Sequence, residues 1–209
     1  RTSVEPSRGA SRSVTLILAS GSVARRRMLE AVGLVFEVDA PRVDEEAAKL
    51  SLRAEGLRPR DQADALAELK ALSISRGRAG FVIGADQMLA VEGDVLDKPK
   101  DADEARAHLL RLRGRTHELV TAAVVAREGA IIWRHIDTPK LRMRAFSDAF
   151  LDDYLARAGA DVLHSVGAYQ LEGLGGQLFE RVEGDYFSVL GLPLLPLLTF
   201  LREHEIVRA

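Results

Sequence analysis

Leu16-Ile-Leu-Ala-Ser-Gly-Ser-Val-Ala-Arg-Arg-Arg27 is a short apolar run that stops at Ser20-Gly21-Ser22 and passes straight into three arginines. Thr15–Ser20 has the composition of a buried strand, and Ser22 is a residue type that caps a helix. The helix is expected to end near Gly33. The arginines therefore fall in its first turn, where the partial positive charge of the helix N-terminus prefers Asp or Glu. Cations are disfavoured there unless an anion sits among them. The segment thus reads as a phosphate or carboxylate site built from free N–H groups, the Ser20 and Ser22 hydroxyls and arginine. Arg25 stands third after Ser22, where a capping box would hold Glu.

Outward from this segment, strands and helices mix. Val35–Ala40 reads as a second strand, and Val43-Asp44-Glu45-Glu46 as the start of a long polar connection. Ala63–Arg76 has helical spacing, with Asp61 as its cap and Gly77 at its end. Phe81–Ala85 is a short apolar strand that ends in Asp86, and a hairpin turn is expected at Gly93-Asp94. Asp101-Ala-Asp-Glu104 resembles a capping box for a helix that runs to Gly114. His117–Arg127 and Ile131–Met143 read as long strands joined at Glu128-Gly129, and Ser147–Ala158 as a helix. Leu178–Val182 and Phe187–Leu190 read as strands, and Pro193–His204 as a final helix. With no internal repeat, the fold class is α/β, a mixed twisted sheet with flanking helices.

The chain has 209 residues, 47% of them hydrophobic, enough for one domain with its own core. A net charge of −2, from 29 basic and 31 acidic residues, argues against binding a nucleic acid polymer by bulk electrostatics. The absence of cysteine excludes disulfides and zinc–thiolate sites. No apolar run approaches the roughly 20 residues that span a bilayer. Residues 1–13 are rich in Ser and Arg, lack an apolar stretch and read as a disordered leader, with one domain over 14–209 and a cytoplasmic location expected.

Four places carry candidate chemistry. The first is the opening segment. The second is Asp86 in Val82-Ile-Gly-Ala-Asp-Gln87, expected just past the carboxyl end of a buried strand, where open α/β sheets bind ligands. A carboxylate there can hold a divalent metal or take a proton from water. The third is Lys98, held extended by Pro99 in Asp97-Lys-Pro-Lys100 and suited to phosphate. The fourth is Gly167-Ala-Tyr-Gln-Leu-Glu-Gly-Leu-Gly-Gly176, where four glycines in ten residues surround Glu172 and permit tight turns or close ligand approach. Glu45 could join a metal cluster and Lys70 could lean over the site. The blander readings are a solvated arginine patch, a turn aspartate, an exposed loop or helix lysine and an ordinary glycine hairpin.

Taken in order, these segments resemble the Maf family of nucleoside triphosphate pyrophosphatases. The matching pieces are Leu16-Ile-Leu-Ala-Ser-Gly-Ser with Arg25-Arg26, then Val43-Asp44-Glu45, Gly84-Ala-Asp86 and Lys98-Pro99. Gly114-Arg-Thr-His117, Gly167-Ala-Tyr169, Glu172-Gly173, Glu183-Gly-Asp-Tyr186 and Gly191-Leu-Pro193 follow. The resemblance implies two lobes around a deep cleft and hydrolysis of a nucleoside triphosphate to monophosphate and pyrophosphate with Mg²⁺ or Mn²⁺. It also implies a housecleaning role toward modified nucleotides and an association with septum formation. By position it makes Asp86 the catalytic acid and, with Glu45, a metal residue. Ser20, Arg25, Arg26, Lys70 and Lys98 become phosphate contacts.

Ala24, Gln87 and Glu172 match positions that bear on the base. The Gln/Glu pair resembles the 7-methyl-GTP branch, because a carboxylate can accept from both N1–H and the exocyclic amine of guanine. It would repel the carbonyls of thymine or uracil. Val23 stands where the family usually has Pro, and Ala24 where this branch has a bulky residue. A pyrophosphatase for dTTP or UTP, a nucleotide-binding regulator of division and an enzyme removing only the terminal phosphate are the alternatives. The expected partner is the nucleotide, with a homodimer left open and no membrane.

Overall fold

Residues 15–208 are described by a computed structural model, so the leader expected over residues 1–13 lies outside the described residues. The apolar run after Thr15 forms β1 (Leu16–Ala19), buried along its whole length. Ser22 caps α1 (Val23–Ala31), its side chain accepting from the Arg25 backbone N–H. The chain returns through β2 (Glu37–Val38), shorter than the sequence suggests because both residues are exposed at the sheet edge. Where a polar connection is expected the structure has a helix, α2 (Glu45–Ala54). Asp44 accepts from the Ala47 N–H, and Glu45 and Glu46 favour its N-terminal dipole. α3 (Pro59–Ser75) starts at a proline rather than under Asp61, which lies in its first turn.

The strand containing Asp86 does not stop there. β3 (Phe81–Val91) continues for 11 residues and turns at Glu92-Gly93 into β4 (Asp94–Leu96). After α4 (Ala102–Leu112), β5 (Thr116–Arg127) pairs along β3 from Val82↔Ala126 to Ala90↔Glu118. The expected long strand after Gly129 is two, β6 (Ala130–Asp137) and β7 (Lys140–Met143), because Pro139 has no N–H to donate. α5 (Asp148–Ala158), a string of 3-10 turns and β8 (Phe179–Glu183) follow. Phe187–Leu190 is helical rather than extended. Asp185 caps α6 (Tyr186–Val189) by accepting from the Ser188 N–H at 2.7 Å, and Gly191 with φ +108° stops it. α7 (Leu194–Glu203) closes the chain.

The sheet order is β2-β1-β3-β5-β7-β8, with β4 on β3 and β6 on β5. β1 runs parallel to both β2 and β3, and the other pairings are antiparallel. One face of β1, β3 and β5 packs on α1 and α7 through Leu18, Leu29, Ile83 and Leu197. The other packs on α3 through Ile17, Leu66, Ala67 and Val82. Beyond β1, the far halves of β3 and β5 enter a third core with α4 and α5, including Leu89, Leu109, Leu119 and Leu151.

β1 pairs with β3 only as far as Ala19↔Gly84, and β4 takes up the same edge from Leu89. Ala85–Met88 is therefore a window in the sheet with no strand on that edge among the described residues. Side chains alternate across a strand, so Asp86 faces α3 and Gln87 faces α6. Gly84 fixes the distance to α3. A Cβ there would lie 2.8 Å from the Ala71 Cβ and collide with the Ala67 carbonyl oxygen. Gly84→Ala is expected to lower the unfolding free energy by about 2 kcal/mol through overpacking, read by urea titration. An unchanged midpoint would mean that α3 has room to move.

Candidate functional site

The close approach of α3 sets Lys70 over Asp86. The Lys70 Nζ donates to Asp86 Oδ1 at 2.8 Å and lies 3.0 Å from Glu45 Oε2. Lys70 and Asp86 are nearly enclosed, with side chains 6% and 7% exposed, whereas Glu45 is 46% exposed. Burial would raise the Glu45 pKa, but Lys70, with Lys49 and Lys98, overrides it and holds Glu45 below its usual value. The second Asp86 oxygen, Oδ2, is buried and has no hydrogen-bond partner. A buried acceptor left open is costly unless something outside the chain uses it.

Arg25 closes the other side. Its Nε donates to the Gly191 carbonyl at 2.7 Å and its Nη1 to Ser20 Oγ at 3.1 Å, and the Ser22 N–H also donates to that hydroxyl. Burial lowers the Arg25 pKa, and the negative charges of Asp86 and Glu45 oppose that. Lys98 is exposed, yet partial desolvation, then the positive charges of Arg25, Lys70 and Lys49, lower its pKa against the pull of Glu45. Arg25, Lys70, Lys98, Glu45 and Asp86 are thus one electrostatic cluster, three cations against two carboxylates. Arg26 is not brought into it. One residue further around the helix turns it to solvent, 60% exposed, where its Nε pairs with Glu30 at 2.7 Å.

Ala24, Gln87 and Glu172 come together in a pocket enclosing about 400 Å³, its open mouth included. Tyr169, Leu190 and Leu119 supply apolar wall. The Gln87 Nε2 lies 2.8 Å from Thr121 Oγ1, 2.9 Å from the Ser188 carbonyl and 3.1 Å from the Val189 carbonyl. Carbonyls only accept, so the amide nitrogen must face them and its oxygen must face away. That oxygen borders the place a Cβ of Gly191 would occupy, at 3.9 Å, with Arg25 Nε at 3.6 Å. The pocket and the charged cluster thus adjoin across the window.

Several supporting residues are not evident as such in the sequence. Ser188 is fully buried and forms a hub. Its carbonyl accepts from Thr121 Oγ1 and Gln87, and its Oγ donates to Asp137 Oδ2 at 2.8 Å. Thr121, a hydroxyl set in the apolar run of residues 119–126, is the one hint of this hub. Behind the pocket, His117 Nε2 and the Tyr169 hydroxyl lie 2.6 Å apart. Among the described residues no group of three His, Asp or Glu side chains is placed to hold a metal, so two carboxylates are what the chain itself offers. No helix among them is long and apolar enough to cross a membrane.

A family model for Maf-like proteins matches residues 15–204. The chain is 56% identical over 187 residues to a protein of Caulobacter vibrioides named nucleoside triphosphate pyrophosphatase, covering 90% of this chain and 94% of that one. It is 55% identical over 194 residues to a Rhodospirillum rubrum protein of the same name, covering 92% and 96%. It is 50% identical over 189 residues to a Rhizobium meliloti protein named 7-methyl-GTP pyrophosphatase, covering 90% and 95%.

Burial lowers the His117 pKa to about 4. The unfolded chain therefore binds a proton at this residue before the folded chain does. Stability from this group is complete above pH 6.5 and is lost as pH falls toward 4. Between pH 7 and 4 the wild type is expected to lose about 3 kcal/mol more stability than His117→Gln, measured by denaturant unfolding at each pH. Parallel curves would show that the ring takes up a proton equally readily in the folded and unfolded chain.

Proposed function

The chain belongs to the Maf-like family, and from that premise we propose that it hydrolyses nucleoside triphosphates to the monophosphate and pyrophosphate, with a divalent metal. The observation that carries this reading is the buried Asp86, held on Lys70 beside Glu45 and Arg25 with Oδ2 open. Scission between the α- and β-phosphates needs an acceptor for the water proton and cations for the charge that grows on the leaving pyrophosphate. Asp86 Oδ2 is the acceptor. Arg25, Lys98 and Lys70 bear on the phosphates. The water oxygen bonds to the α-phosphorus as its proton passes to Asp86, and the bond from that phosphorus to the bridging oxygen breaks, leaving its electron pair on the pyrophosphate.

Open carboxylate oxygens on Asp86 and Glu45 fit Mg²⁺ or Mn²⁺, which take oxygen ligands and complete their shells with phosphate and water. Such an ion would neutralise phosphate charge and polarise the P–O bond under attack. Lys70, bonded to both acids, holds them in place and offsets their mutual repulsion.

For the base, the lean is to guanine and its 7-methyl form. With its nitrogen tied to α6, Gln87 offers an acceptor, and Glu172, which lines the same pocket, offers two more. Acceptors on two residues of one pocket suit a base edge rich in N–H donors and disfavour thymine and uracil, which present carbonyls. The name of the Rhizobium meliloti relative agrees with this lean.

Pure protein with Mg²⁺ or Mn²⁺ is expected to release pyrophosphate rather than phosphate from a triphosphate panel. Asp86→Asn should lose at least about a thousandfold in kcat/KM. Release of orthophosphate alone, or an active Asp86→Asn, would remove the proposal. Glu172→Gln is expected to shift the guanine-to-pyrimidine ratio of kcat/KM by roughly tenfold or more toward pyrimidines. An unmoved ratio would leave Glu172 without a part in reading the base.

A further inference from the structure

α2 brings Glu45 to the site, yet none of its residues is fully buried. Ala48 and Leu52 only partly cover the core beneath, and Leu50 is exposed. Apolar packing of this kind holds a helix loosely, so its place depends on polar ties. It has them at both ends. In the first turn Glu45 meets Lys70 at 3.0 Å. Further along, Lys49 and Arg53 both reach Asp97. Lys49 Nζ lies 3.1 Å from Oδ1, and Arg53 Nη2 lies 2.8 Å from Oδ2. Asp97 uses each oxygen on a different cation of the same helix face.

Asp97 immediately precedes Lys98, and Pro99 after it is buried. The residue that grips α2 is thus joined by one peptide bond to a cation of the charged cluster. Lys98 in turn feels both Glu45 and Arg25. A shift of α2 along its own axis would move Glu45 away from Lys70 and Asp86. A shift of the Asp97 loop would move Lys98 by a similar amount.

We propose that Asp97 is a positioning residue that latches α2 to the Lys98 loop through Lys49 and Arg53, so that Glu45 and Lys98 keep a fixed separation around Asp86. This rests on the hydrolytic reading of the site for its kinetic consequences, but not for its structural ones. The latch is partly exposed ionic contact, so it weakens with salt.

The direct test is amide hydrogen exchange over residues 48–54 in wild type, Asp97→Asn and Arg53→Met. Both variants are expected to exchange faster there, with α3 and β3 unchanged, and wild type is expected to approach them as KCl is raised. In turnover, Asp97→Asn should raise the metal concentration for half-maximal rate roughly tenfold, as removal of an outer partner of a metal ligand does. Adding Arg53→Met to Asp97→Asn should cost nothing more, because the two act on one contact. Asp97→Glu should recover most of the loss. Unchanged exchange in α2, or full additivity of the two substitutions, overturns the latch. A wild type that turns over no triphosphate would defeat the hydrolytic reading and leave the exchange comparison to decide the latch alone.

Discussion

Everything in the charged cluster depends on how near α3 comes to β3. The helix lies so close at Gly84 that its backbone occupies the space a side chain would need, and the next residue of the same face is Lys70. Its ammonium is thereby driven into the sheet at the one point where β3 carries an acid. A buried ion pair of this sort contributes little net stability, since desolvation of both charges offsets their attraction. Its importance is positional. Lys70 lies between two carboxylates and offsets their mutual repulsion. With it, both acids share one cation and one oxygen of Asp86 remains open.

The second constraint is the short helix α6. Its four residues anchor it through Val189 in one core cluster and Phe187 against another. They also present two backbone carbonyls to Gln87, with Asp185 capping the helix and the Ser188 hydroxyl bonded to Asp137. These carbonyls decide which way the Gln87 amide faces. The Gln87 amide is therefore held in one orientation by the fold itself.

Much of this was legible in the sequence, for identifiable reasons. The β1–α1 unit, the capped helices α4 and α5 and the β5–β6 hairpin carry strong local signals, and each lies close to where those signals put it. The resemblance drew Ala24, Gln87 and Glu172 from three distant segments that share a pocket. The failures have physical causes too. α2 looked like a loop because its charges hid a weak apolar stripe and because its hold on the fold is ionic. α6 looked like a strand because four apolar-rich residues carry no period, and the Asp185 cap decided the matter. Asp86 looked like a strand terminus because Gln87 breaks the apolar run, though both polar residues lie within a continuing strand. Arg26 shared a motif with Arg25, and only helical geometry separates them.

Asp86 and Gln87 are neighbours in sequence, yet the pleat of β3 sends them to opposite faces. The consequence is a separation of trades within one strand. On the proposed reading, substitutions around Gln87, Ala24 or Glu172 alter the pocket, while Asp86 is held from the other face by Lys70. The same pleat imposes a strict parity. One residue inserted or removed between Gly84 and Asp86 would exchange the faces and put an amide under Lys70 and a carboxylate against the α6 carbonyls. A lineage of such chains is free to diversify in substrate, provided that it never changes the count along this strand.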